Sequence, residues 1–112
     1  MSNITDSNIK EATDIIKRNF NILDIILFGS YASGKTDENS DIDLIVVLDD
    51  NAYSTDYESR LGKRLAVANK LFELKKRVQI DSLVFTKPEW GKFKELNSSL
   101  SREILQTGIS II

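Results

Sequence analysis

Cysteine and histidine are both absent from this 112-residue chain, and proline occurs once. Without the first two, a Ser-His-Asp or Cys-His nucleophile cannot be assembled, disulfides are excluded, and zinc loses its usual nitrogen and sulfur ligands. Any metal must be held by oxygen, which suits magnesium, manganese or calcium; the first two are the ions that most often accompany phosphate substrates. No apolar run approaches 18 residues and no charged-then-apolar leader follows Met1, so neither a membrane span nor an export signal is expected, and the cytoplasm is the expected compartment. A basic excess is missing too: 15 lysines and arginines face 17 acids, for a net charge of −2. Nucleic acid is therefore not expected as a direct ligand.

What is present suffices for one domain over residues 1–112, since 41% hydrophobic residues can build a core without staples. Residues 7–20 read as an amphipathic helix with Ile9, Ala12, Ile16 and Phe20 on one face. Residues 23–28 form a short apolar strand that ends at Gly29-Ser30, and 31–33 form a helical turn closed by Gly34. After a polar loop, 42–48 is a second strand. A long helix over 56–76 should cover the sheet with Leu61, Leu65, Ala68 and Phe72. Residues 78–85 are a third strand. Thr86, Pro88 and Glu89 start another helical stretch that reaches Gln106 and stops at Gly108. The apolar end, 109–112, can pack or pair at a sheet edge. The fold class is α/β, a small mixed β-sheet with helices packed on one side.

Asp41 and Asp43 flank Ile42 at the start of the second strand, so alternation points both carboxylates to one face. Asp81 lies within the third strand among apolar neighbours, where an unneutralised acid is costly. Taken singly, each has a plain explanation: a turn before a strand, a loop hydrogen bond, a partner lysine. If the second and third strands are neighbours, however, three carboxylates converge and repel one another unless divalent cations sit between them. Gly29-Ser30 follows a strand and opens a helical turn, where backbone N–H groups and a hydroxyl can meet a phosphate or simply cap the turn.

Gly29 to Thr36 also satisfies the P-loop pattern G-x-x-x-x-G-K-T. A P-loop needs a helix that begins at its lysine, yet Thr36 is followed by Asp-Glu-Asn-Ser and a strand. A P-loop nucleotide-binding protein stays as an alternative reading.

The stretch GSYASGKTDENSDIDLIVV resembles the signature of minimal nucleotidyltransferases of the DNA polymerase β superfamily: Gly29-Ser30, ten residues, Asp41-Ile42-Asp43, and a later strand acid at Asp81. The resemblance runs from about residue 8 to the end. It implies that Asp41, Asp43 and Asp81 hold two magnesium ions, with manganese as a substitute, and that Gly29 and Ser30 bind the triphosphate of ATP. It further implies that Asp81 helps to activate the attacking hydroxyl. Relatives often carry arginine where this chain has Ser33, so that a phosphate or partner contact is either lost or moved to Lys35. Family members of this length typically pair with a helical toxin of the HEPN type and act as its antitoxin by adenylylating it. The resemblance implies that role here. Trp90 and residues 109–112 are candidate contact surfaces, with ordinary core packing the favoured reading of each, since exposed clusters rather than single apolar residues mark interfaces. A non-catalytic antitoxin acting by complex formation alone is the other reading in the same family.

Overall fold

Four strands form one sheet, in the order β3-β2-β1-β4, within the residues that the computed structural model describes, 7–34, 41–53 and 56–112. β1 (Ile22–Phe28) and β2 (Ile42–Leu48) run antiparallel, with Ile26 opposite Ile45 and Phe28 opposite Asp43. β3 (Ile80–Phe85) lies parallel to β2. A parallel neighbour cannot be reached through a tight hairpin, and α3 (Tyr57–Lys70) and α4 (Phe72–Lys75) make the crossover. β4 (Ile109–Ser110) pairs with the outer edge of β1, and the Ser110 hydroxyl donates to Asp24 Oδ1 at 2.6 Å. The apolar C-terminal end thus pairs at a sheet edge, as its composition implied.

Alternation along the strands produces two cores rather than one. Ile25, Leu27, Ile42, Leu44, Val46 and Ile80 pack with Ile9, Ala12 and Ile16 of α1 (Ser7–Asn19) and with Val67, Leu71 and Leu74 from the α3–α4 segment. The opposite face carries Ile26, Ile45 and Val47 against Trp90 of α5 (Lys87–Glu95) and Ile104 of α6 (Ser99–Thr107). The mixed α/β sheet is as expected, but the placement of helices on one side is corrected: both faces are covered. The reason is in the strands themselves, whose Ile45, Val47, Leu83 and Phe85 alternate with an equally apolar set. Leaving such side chains in water forgoes about 1.5–3 kcal/mol each.

The expected helix over 56–76 begins as read, with Asp56 accepting the Ser59 N–H at 2.7 Å, but it breaks at Leu71. There one backbone N–H is shared between the carbonyls of Val67 (3.2 Å) and Ala68 (3.1 Å), a pattern common at helix ends. Its inward stripe also differs from the expected one: Val67, Leu71 and Leu74 are buried, while Leu65 and Phe72 are 49% and 59% exposed. Of the two readings the sequence offers for Trp90, core packing holds: it is buried, stacked on Phe93 with centroids 5.6 Å apart and tilted against Phe85 at 5.6 Å. Among the described residues no helix is long and apolar enough to cross a membrane.

Candidate active site

Asp43 is the second residue of β2 and Asp81 the second of β3, and the parallel register pairs them directly. Paired strands lie about 4.8 Å apart, so the two carboxylates leave the same face as near neighbours. Asp41, exposed just ahead of β2, is two residues from Asp43 and shares its face by alternation. On the other side of β2, Phe28 is opposite Asp43, which brings Gly29 against the same side chain. A Cβ on Gly29 would sit 2.4 Å from Asp43 Oδ2, and Gly29 has φ +73°. Only glycine satisfies both the contact and the backbone angle. Ser30 then opens the single turn α2 (Ser30–Ser33), in which the Ala32 N–H donates to the Gly29 carbonyl at 3.1 Å and Gly34, left-handed at φ 77°, ends the turn.

The convergence has an electrostatic signature. Burial first, then the charges of Asp81 and Asp41, push the Asp43 carboxyl above the usual carboxylate range. Arg64 Nη2 of α3 donates to Asp81 Oδ1 at 3.2 Å, in a pair that is 50% and 64% exposed at its two ends. An open pocket of about 280 Å³ is lined by Asp41, Asp81, Gln79, Ile80 and Lys75. In the sequence Lys75-Lys76-Arg77 reads as a solvated helix end. In the structure Lys76 pairs with Glu73 at 3.2 Å and Arg77 with Glu11, whereas Lys75 lines the acid pocket.

Sequence reasoning missed Arg64 and Lys75. The signal for Arg64 was its spacing, since 64, 67, 71 and 74 fall on one helical face, and that face is the buried one. Lys35 lies outside the described residues. The P-loop alternative is corrected by topology: β1 and β2 are adjacent and antiparallel, so the segment between them is not the crossover to a parallel strand that a P-loop domain builds after its phosphate loop. Among the described residues no group of three acids is drawn tightly enough to enclose a metal ion unaided.

A family model described as "Nucleotidyltransferase domain" matches residues 9–109. The chain belongs to the nucleotidyltransferase domain family. Two proteins of Methanocaldococcus jannaschii carry the name "Putative protein adenylyltransferase". One, MJ0604, is 35% identical over 102 residues, covering 89% of this chain and 90% of its own length. The other, MJ1379, is 45% identical over 53 residues, so that 44% of this chain spans 53% of that relative. Among solved structures this nucleotidyltransferase domain resembles a toxin–antitoxin with AMP-PNP, with a TM-score of 0.50 and 22% identity over 96% of this chain and 72% of that one. It also resembles a mutant of the toxin–antitoxin MntA–HpeT, with a TM-score of 0.53 and 20% identity over 96% of this chain and 73% of that one. At such identities the likeness is one of fold.

Proposed function

We propose that this domain transfers AMP from ATP to a hydroxyl of a protein acceptor, and that the acceptor is the toxin of a toxin–antitoxin pair, a helical protein of the HEPN type. The observation that carries the chemistry is the in-register pair Asp43–Asp81 beside Gly29. The acceptor class is supported by the name of MJ0604, which aligns along nearly its whole length, and by the toxin–antitoxin structures that share the fold.

The donor set fits magnesium: every nearby ligand is a carboxylate, and Asp43 is crowded by two others in a way that a cation relieves. Magnesium commonly takes one or two carboxylates and completes its shell with water and substrate phosphates, which is compatible with acids that are neighbours without forming a closed cage. Asp41, Asp43 and Asp81 would hold two such ions, whose chemistry is charge neutralisation on the phosphates and on the leaving oxygen. The polypeptide does the remainder. Gly29, with no side chain, and the Ser30 hydroxyl admit and orient the triphosphate at the end of β1. Lys35 adds a cation toward the same phosphates. The acceptor oxygen attacks the α-phosphorus in line, its proton passes to Asp81, and the bond to the bridging oxygen breaks to release pyrophosphate.

The test is transfer of label from α-labelled ATP to the product of the neighbouring reading frame, co-purified with this chain and supplied with magnesium. We expect Asp43→Ala to lower transfer roughly a thousand-fold, the rate equivalent of several kcal/mol of lost charge stabilisation. No transfer by the wild-type chain, with toxin inhibition intact in Asp43→Ala, would establish the non-catalytic reading instead.

A further inference from the structure

Among the described residues, Arg64 is a cation paired with one of the three acids. It reaches Asp81 from α3, 17 residues away in sequence, beside the edge strand β3 and close to the pocket that holds Asp41 and Asp81. A single guanidinium contact at 3.2 Å between half-exposed partners is a weak bond, worth at most about 1 kcal/mol. It therefore satisfies Asp81 without committing it. Asp81 itself lines that pocket, and arginine binds phosphate oxygens as readily as carboxylates.

We propose that Arg64 is an exchangeable counter-ion, paired with Asp81 while the site is empty and turned to the nucleotide phosphates once a divalent cation takes Asp81. This rests on the three-acid reading given above and assigns a phosphate-binding residue to α3, outside the Gly29–Ser30 turn. Its functional consequence is ordering: the domain binds divalent cation weakly on its own and well with nucleotide, because the same side chain opposes the first event and assists the second.

Binding measurements separate the two readings without turnover. Mn²⁺ is titrated into the metal-free protein and followed by the electron paramagnetic resonance signal of the free ion. AMP-PNP is then titrated by calorimetry at saturating Mn²⁺. Arg64→Gln is expected to bind Mn²⁺ about three-fold more tightly without nucleotide, as loss of a weak competing ion pair requires, and to bind AMP-PNP about ten-fold more weakly. Arg64→Lys should return both values toward wild type. Opposite signs for the two ligands place the Arg64 charge at the site, which an arginine that only packs cannot do, and a crystal structure with Mn²⁺ and AMP-PNP must show its guanidinium off Asp81 and on a phosphate; Arg64 still on Asp81 there overturns the exchange. If Arg64→Gln leaves either affinity unchanged while Asp43→Asn abolishes Mn²⁺ binding, the exchange is overturned and the acid site stands. If neither wild type nor Arg64→Gln takes up Mn²⁺, the acid site and the exchange both fall.

Discussion

The two ends of the β2–β3 pair share a face and two strands, yet differ in everything else. At the start, Asp43 and Asp81 stand side by side and partly open to water. At the finish, Val47 is opposite Phe85, and Phe85 lies 5.0 Å from the ring of Phe93 and 5.6 Å from that of Trp90. Three residues separate Asp81 from Phe85, about 13 Å of strand. Trp90 and Phe93 of α5 cover the aromatic end, whereas no α5 residue lines the pocket of Asp41 and Asp81. One strand pair therefore does two jobs: burial at one end anchors the register, and exposure at the other presents the carboxylates that the register aligns. A cavity of about 420 Å³ lined by Tyr53, Phe85 and Phe93 marks the boundary of the anchored end.

That division can be broken from either end. The largest effect on stability should come from Trp90→Ala, which removes the ring that seals the second core and should cost about 3–5 kcal/mol. Urea unfolding measures it, while Mn²⁺ affinity of the molecules still folded should change little. A collapse of metal affinity in the folded fraction would show that the two ends are not separable. Gly29→Ala comes next. It places a Cβ on the Asp43 carboxylate and forces a non-glycine residue into positive φ, at roughly 1–3 kcal/mol. Unlike Trp90→Ala, it should impair transfer per folded molecule as well, and a fully active Gly29→Ala protein would sink the close approach described for that position.

The smallest effect has the most informative sign. Because the folded-state pKa of Asp43 is raised, the ionised carboxylate is disfavoured by folding. Its contribution to stability is fully present below the unfolded-state value of about 3.9 and is lost as pH rises through the folded one. In EDTA, Asp43→Asn should therefore raise the urea midpoint at pH 7, and the advantage over wild type should shrink as pH falls toward 4. A gap that widens on acidification would contradict the crowding of the acids.

The acid end was the more legible of the two. Asp41-Ile42-Asp43 carries its geometry in strand alternation, and Asp81 announces itself as a charge in an apolar run. Only the adjacency of β2 and β3 had to be supplied by the fold. The anchored end was harder to read, since Trp90 and Phe93 are visible as apolar residues but nothing local says which face of the sheet they meet. The same ambiguity misplaced the inward stripe of α3: Leu61, Leu65, Ala68 and Phe72 repeat at helical spacing as well as Val67, Leu71 and Leu74 do, and only packing selects between them. The spacing of Arg64 with Val67, Leu71 and Leu74 was there to read, but not that this stripe is the one that faces inward.

The in-register pairing of Asp43 with Asp81 has a consequence for errors in folding. Side chains in a strand repeat every two residues, so a slip of β3 by one position turns Asp81 to the far face and carries Leu83 and Phe85 with it. The carboxylate cannot be lost from the site without the aromatic anchor being lost as well. A chain with β3 out of register is therefore also a chain with a broken core, exposed to unfolding and degradation. Stability selects the aligned site before activity is ever called upon.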